Sequence, residues 1–290
     1  MRLWIVTGAI AKSGAFEKSL AQGADLLKKY GIEAELYRRF DINYTLHPDG
    51  SVKLFAKGVE TTAPDKLFLY GSFDAIMEGI EKTLTSMGTM SINSVESKRI
   101  AGSKLSTALL LSKHDIPQAK TMPVYRDTPI ELIKKEIGIP LIVKPDNGFG
   151  GQGVELIKTE EELKQTLDAL PENIHSLLLA QEFISTSKGR DLRVLMVGKK
   201  PYAAFVRQAG DPNEFRSNIH QGGHYEDFEL TDEIIDLCEK TAKAINLEIC
   251  GLDLLFGKDG FIIGEINDSP GMKTIIEKVG LDRFLKTLMA

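Results

Sequence analysis

Apolar residues along the chain recur with two different periods. Short runs that alternate or are unbroken predict strands, and apolar residues three and four apart predict helices. Residues 3–6 are an apolar run that ends at Thr7 and Gly8. Over residues 16–30, Leu20, Ala24, Leu27 and Tyr30 lie at helical spacing, and Gly31 ends the pattern. Residues 34–37 predict a second strand, so the chain opens as a βαβ unit. His47, Pro48, Asp49 and Gly50 turn a hairpin over 43–46 and 52–55. A strand at 66–70, a helix at 73–87 and a strand at 90–93 complete this first α/β segment.

The pattern then changes. Ile100, Leu105, Ala108, Leu109 and Leu111 predict one helix over 98–113, stopped by Asp115, Ile116 and Pro117. Residues 118–125 are extended, and 128–137 are a helix with Pro129 near its start and Gly138 after it. Apolar strands at 140–144 and 154–157 flank a loop holding Gly148, Gly150, Gly151 and Gly153. A helix at 160–170, a strand at 176–184 and a strand pair at 191–197 and 201–207 follow. Asp191 and Arg193 share one face of their strand. A polar loop at 215–223 precedes a helix over 231–245, capped by Thr231. Next comes a hairpin of strands 251–256 and 261–267 turned by Lys258, Asp259 and Gly260, and a terminal helix at 281–288. There is no internal repeat.

Composition narrows the class. At 290 residues the chain is long enough for two domains with a large core. A net charge of −5 excludes a nucleic-acid binder that works through a broad basic surface. The two cysteines, Cys238 and Cys250, have no metal-ligand spacing and fit a reducing compartment. The opening apolar run is too short for a signal peptide, and no later run approaches a membrane span. A cytoplasmic enzyme is the expected class.

Two stretches carry candidate chemistry. In the C-terminal hairpin Glu265 and Asn267 are two residues apart and share a face. If Asp253 faces the same way, three oxygen donors converge without a thiol or an imidazole. That set suits a hard cation such as magnesium, usually held by one or two carboxylates with substrate phosphates. The alternative is a solvated acidic hairpin; against it, Asp253 lies between Leu252 and Leu254. The glycine loop, with Lys144 at its root, presents backbone amides and a point charge to a phosphate, or else is only a mobile turn. It lacks the Gly-Lys-Ser/Thr of a P-loop, and Thr7, Gly8 and Ala9 lack a full dinucleotide fingerprint.

The ordered set of Lys104, Lys144 with its glycine loop, Gln181 to Ile184, Asp191-Leu-Arg193, Arg207, the Arg216-Ser-Asn-Ile-His-Gln-Gly-Gly223 loop, Gly251-Leu-Asp253 and Glu265-Ile-Asn267-Asp-Ser-Pro-Gly271 resembles the ATP-grasp superfamily. Within it the set is similar to the RimK-type alpha-L-glutamate ligases, from about residue 93 to the C-terminus. The resemblance implies a mixed α/β and α+β architecture. An N-terminal Rossmann-like pre-ATP-grasp domain would span 1–97, a central lobe with a glycine-rich lid 98–184, and a C-terminal lobe with the metal site 185–290.

It also implies roles. Lys104 and Lys144 would reach the ATP phosphates, with Gly148, Gly150, Gly151 and Gly153 closing over them. Gln181, Glu182, Phe183 and Ile184 would form the hinge strand whose backbone pairs with adenine, with Glu182 and Asp191 near the adenosine. Arg216, Ser217 and Asn218 would lie by the triphosphate. Asp253, Glu265 and Asn267 would hold magnesium, with Glu265 bridging two ions and manganese able to substitute. Arg207 would face the acyl phosphate and its tetrahedral successor, which makes Arg207, Lys144 and Arg216 the catalytic set. The implied reaction is ATP-dependent amide formation that adds L-glutamate to a carboxylate. Alternatives are another amino acid, a peptide or a carrier protein as substrate, and a nucleotide-binding module that has lost its chemistry. Neither nucleic acid nor membrane is an expected partner, and a homo-oligomer is expected by analogy. One departure stands out: Tyr70, Gly71 and Ser72 occupy the place of an Arg-Ile-Gly-like segment, so a cation expected near the acceptor is missing.

Overall fold

The computed structural model describes residues 1–8, 27–71, 74–148, 151–170, 177–211, 214–217, 224–271, 278–280 and Phe284. The helices expected over 16–30 and 281–288 lie outside these residues, apart from 27–30 and Phe284. Among the described residues no helix is long and apolar enough to cross a membrane.

The first sheet is parallel, built from β1 (Arg2–Thr7), β2 (Glu33–Arg38), β6 (Lys66–Tyr70) and β7 (Met90–Ile92) in the order β2-β1-β6-β7. Between β2 and β6 the expected hairpin, β3 (Ile42–Leu46) and β4 (Val52–Ala56), gains a third strand, β5 (Val59–Thr61). The sequence does not announce β5, because it is three residues long and carries no apolar alternation. Its turn depends on Lys57 and Gly58, both with positive φ, which matches the twist of a tight hairpin. Helix α1 (Ala75–Ser86) starts at Asp74, whose carboxylate accepts from the amides of Ile76 and Met77.

The single helix expected over 98–113 is two helices, α2 (Val95–Gly102) and α3 (Lys104–Lys113). Ser103 between them is extended, and its hydroxyl accepts from the amide of Ser106, so one residue both ends α2 and caps α3. Apolar spacing continues through the break, which hides it from a periodicity reading. Leu111 and Ile116 belong to the same core as Leu192, Val194, Ile245 and Leu252, so these helices pack on the third sheet. The boundary expected at residue 98 therefore falls inside α2.

The second sheet is antiparallel, in the order β10-β9-β11-β8, from β8 (Thr121–Val124), β9 (Leu141–Pro145), β10 (Glu155–Ile157) and β11 (Leu178–Glu182). Helices α4 (Ile130–Glu136) and α5 (Glu160–Asp168) cover one face through Ile133, Leu163 and Leu167. The third sheet, β14-β13-β12-β15-β16, is also antiparallel: β12 (Arg190–Val197), β13 (Lys200–Gln208), β14 (His224–Phe228), β15 (Ile249–Phe256) and β16 (Phe261–Asn267). Strand β14 was not expected, since it is a largely exposed edge with few apolar residues. Helix α6 (Asp232–Ile245) lies against one face of this sheet, begins at Thr231 and ends at Asn246 in the left-handed conformation.

Strand β12 shows why the site lies where it does. Val194 and Met196 face α6, while Leu195 and Val197 pack with Leu3, Ile5 and Phe68 of the first sheet. Asp191 and Arg193 continue the second face toward the start of β12, past the cover of the first sheet. The polar end of that face is left over for a cavity.

Candidate active site

That cavity holds about 260 Å³ between the second and third sheets. Its floor is the polar end of the third sheet, where arginines and carboxylates face one another across neighbouring strands. Register places Arg207 opposite Asp191, Arg193 opposite Asp253, Asp253 opposite Glu265, and Gly251 opposite Asn267. Directly opposed residues point to one side. The expected convergence of Asp253, Glu265 and Asn267 is thus a consequence of pairing.

A bulge sharpens the arrangement. Asp253 pairs with Glu265 but Leu254 pairs with Ile263, so Gly264 is the extra residue. A Cβ on Gly264 would sit 2.9 Å from Leu255 Cγ and 3.2 Å from the Asp253 carbonyl oxygen, so the position accepts only glycine without movement.

The acidic floor is neutralised by arginines. Arg193 binds Asp253 through two nitrogens, Nε to Oδ1 and Nη2 to Oδ2, the latter at 2.8 Å. Arg207 Nη2 reaches the same Asp253 Oδ2 at 2.7 Å, and Arg207 forks onto Asp191 through Nε at 2.7 Å and Nη2 at 2.6 Å. The Ser217 hydroxyl donates to Asp191 Oδ2. Burial pushes the Asp191 carboxyl up, and neighbouring Asp253 adds to the effect; Arg207 and Ser217 oppose both. Burial works against the Arg207 cation, yet Asp253 and Asp191 outweigh it and hold the group above its ordinary value. Buried charges survive only when paired this closely.

The opposite wall carries the two lysines. Lys144 is 8% exposed, and its Nζ donates to Gln181 Oε1 at 2.7 Å. Burial draws this amine down to about 8; Glu265 and Asp146 resist the shift, while Lys104 assists it. Lys104 reaches the cavity because Asp146, the residue after β9, binds the start of α3: its Oδ1 accepts from the Leu105 amide at 2.7 Å and from Ser103 Oγ at 3.1 Å. Lys104 Nζ then donates to the Gly148 carbonyl at 3.1 Å and lies 3.6 Å from Glu265 Oε1.

Gly148 and Gly151 line the cavity, whereas Gly153 lies over Pro145 and is not on its wall. Gln181, Glu182, Phe183 and Ile184 line it as well. The Glu182 amide donates to the Lys120 carbonyl, and the Ile184 carbonyl accepts from the Ser187 amide. Arg216 is engaged by Glu214 through Nε and Nη2, and its Nη1 donates to the Gly151 carbonyl at 3.1 Å. That pairing holds the Glu214 carboxyl down at about 2. Gly150 and Asn218 lie outside the described residues. Every other residue to which the resemblance assigns a site role, except Gly153, borders this cavity.

Three contributors carried no role in the sequence reading. Arg193 shares its strand face with Asp191, but its partner Asp253 is 60 residues away and known only from strand order. Asp146 acts on α3 across a fold contact. The Gln181 side chain, rather than its backbone, meets Lys144.

This architecture is that of the ATP-grasp fold. The ligase PsnB, solved with a minimal precursor, magnesium and ADP, matches with a TM-score of 0.71 at 18% identity over 99% of this chain and 98% of its own. A D-alanine–D-alanine ligase from Bacillus anthracis matches at 0.69 and 18% identity, over 100% of this chain and 95% of its own.

Sequence narrows the class further, for the RimK-like ATP-grasp domain model matches residues 101–289. A probable alpha-L-glutamate ligase of Vibrio atlanticus (strain LGP32) is 38% identical over 197 residues, covering 68% of this chain and 65% of the relative, just under two thirds. Another, from Picosynechococcus sp. (strain ATCC 27264 / PCC 7002 / PR-6), is 34% identical over 223 residues, 73% of each. The chain belongs to the RimK-like ATP-grasp family.

Proposed function

We propose that the protein is an ATP- and magnesium-dependent carboxylate–amine ligase that adds L-glutamate to a carboxylate acceptor. The observation carrying this reading is the opposition of Lys104 and Lys144 to the Asp253–Glu265–Asn267 ribbon across one cavity. The names of the curated relatives favour glutamate as the amine.

The donor set fits magnesium. Among the described residues no group of three His, Cys, Asp or Glu side chains could hold a metal. The candidate set is instead two carboxylates and an amide, which leaves coordination positions for phosphate oxygens and water. Glu265 has a 41% exposed side chain that reaches the cavity, and Asn267 lies beside it. Asp253 Oδ2 accepts from both Arg193 and Arg207, whereas Oδ1 accepts only from Arg193 and keeps a lone pair for a metal. Bound there, magnesium would neutralise charge on the phosphate oxygens; a second ion that Glu265 would help to hold is part of the proposal, as is manganese in place of magnesium.

The chain's own residues do the rest. The Lys144 and Lys104 ammonium groups draw the triphosphate to the cavity wall, and the hinge from Gln181 to Ile184 seats the base. The acceptor carboxylate attacks the γ-phosphorus, the bond to the β-phosphate oxygen breaks, and ADP leaves an acyl phosphate. A glutamate amine then attacks the acyl carbon, loses a proton and expels phosphate to give the amide. Arg207, a permanent cation at the cavity floor, stabilises the tetrahedral oxyanion. The loop around Gly148 and Gly151 shields the acyl phosphate from water. Residues 1–97 are proposed to shape the acceptor site, with 98–184 and 185–290 as the clamping lobes of a cytoplasmic homo-oligomer.

A second reading, a peptide acceptor, draws on solved neighbours bound to precursor peptides, PsnB and the macrocyclase MdnC of Microcystis aeruginosa MRC. Both readings require ADP release that depends on an added amino acid and acceptor, with mass spectrometry identifying the product. Nucleotide binding without turnover over a broad substrate screen would leave only a nucleotide-binding module. Glu265→Ala should abolish ADP formation in a folded protein; near-normal turnover would remove the metal assignment.

A further inference from the structure

Lys144 and Lys104 face the same cavity but are held differently. Lys104 Nζ contacts two backbone carbonyls, those of Gly148 and Asp146, and has the Glu265 carboxylate 3.6 Å away. Lys144 Nζ is held by a neutral amide oxygen, Gln181 Oε1, at 2.7 Å. The same amide donates through Nε2 to Thr121 Oγ1 at 2.8 Å, and the Thr121 hydroxyl donates to the Ala119 carbonyl at 3.1 Å.

The sheet register puts these groups in line. Gln181 is opposite both Thr121 on β8 and Ile142 on β9, and Lys144 lies two residues along β9 from Ile142, on the same face. The polarity of the chain of bonds follows from its far end. A backbone carbonyl can only accept, so the Thr121 hydroxyl points its proton at Ala119 and turns a lone pair toward Gln181. Gln181 must then give its NH₂ to Thr121, which leaves its carbonyl oxygen aimed at Lys144.

We propose that Gln181 and Thr121 are positioning residues that fix the Lys144 ammonium by a neutral acceptor, so that its full charge stays available to the nucleotide phosphates. The proposal rests on the ligase reading above and adds to it a side-chain role for a residue of the hinge strand. An ammonium donates three bonds. One is spent on Gln181, which leaves two for a ligand in the cavity that Lys144 lines. A carboxylate in place of the amide would hold the lysine equally well but cancel its charge. A neutral acceptor orients the charge without cancelling it at the contact.

The test is binding of magnesium-ADP to the full-length protein by calorimetry, with melting temperature recorded for each variant. Gln181→Glu is nearly isosteric and should weaken binding about tenfold to a hundredfold. Thr121→Val, which keeps shape and removes the hydroxyl, should weaken it severalfold, and Thr121→Ser should restore wild-type affinity at an unchanged melting temperature. Adding salt should erode wild-type affinity more steeply than that of Gln181→Glu, since the variant has one fewer free charge. Wild-type affinity in Gln181→Glu, or equal losses in Thr121→Val and Thr121→Ser, would overturn the proposal. Absence of ADP binding by the wild-type protein would instead overturn the ligase reading, and the proposal with it.

Discussion

Replacing Lys144 by methionine should make the free protein more stable at neutral pH while weakening its grip on nucleotide. The side chain is 8% exposed, so solvent does little to soften the cost of its charge. Burial brings the amine from 10.5 down to about 8, a difference that corresponds to roughly 3 kcal/mol. Below pH 8 both folded and unfolded chains carry the proton, and the folded state bears the whole penalty. Between pH 8 and about 10.5 the unfolded chain binds more protons, so stability rises with pH as the penalty fades. Methionine removes the charge and roughly keeps the volume, but leaves Gln181 Oε1 without its donor, at a cost of about 1 kcal/mol. The expected net gain is about 2 kcal/mol at pH 7, vanishing or reversing near pH 10.5. Urea unfolding of both proteins at the two pH values, followed by far-ultraviolet circular dichroism, measures the difference directly. A variant no more stable than wild type at pH 7, or one with the same offset at both pH values, would refute the reasoning.

Asp191→Ala leaves Arg207 buried with only Asp253, already shared with Arg193, as counter-charge; stability should fall by about 3 kcal/mol or more. A melting temperature within a degree of wild type would contradict that. Gly264→Ala places a Cβ against Leu255 and the Asp253 carbonyl and should cost about 1–3 kcal/mol. Because the bulge aligns Asp253 with Glu265, that variant should also need more magnesium for half-maximal ADP formation, which a metal titration reads. Glu214, held down at about 2 by Arg216, contributes stability that is complete above its ordinary range near 4.5 and is lost as pH falls toward 2. In Glu214→Gln that acid-dependent loss should be absent, as thermal melts from pH 5 to pH 2 would show.

Much of the scaffold was legible because its signals are local. The turn at His47 to Gly50, the cap at Thr231 and the alternation in the last hairpin each need only neighbouring residues, and all appear where expected. Strands β5 and β14 were not, since one is three residues and the other an exposed edge, and neither has an apolar pattern to read. The break at Ser103 escaped for the opposite reason. Its apolar spacing runs on unbroken, and only the extended backbone with the serine cap reveals two helices.

The site divides along the same line. Residue type and spacing alone set Glu265 and Asn267 on one face, put Lys144 at the root of a glycine loop, and made oxygen the only donor at the hairpin. Those are properties of a strand's period and of side-chain chemistry. Strand order decided everything that joins distant segments: Arg193 and Arg207 closing on Asp253, Asp146 carrying Lys104 across to the glycine loop, and Gln181 turning its amide oxygen to Lys144. Charge pairs and hydrogen bonds act over only a few ångströms, so no spacing along the chain encodes them until the sheets bring the partners together.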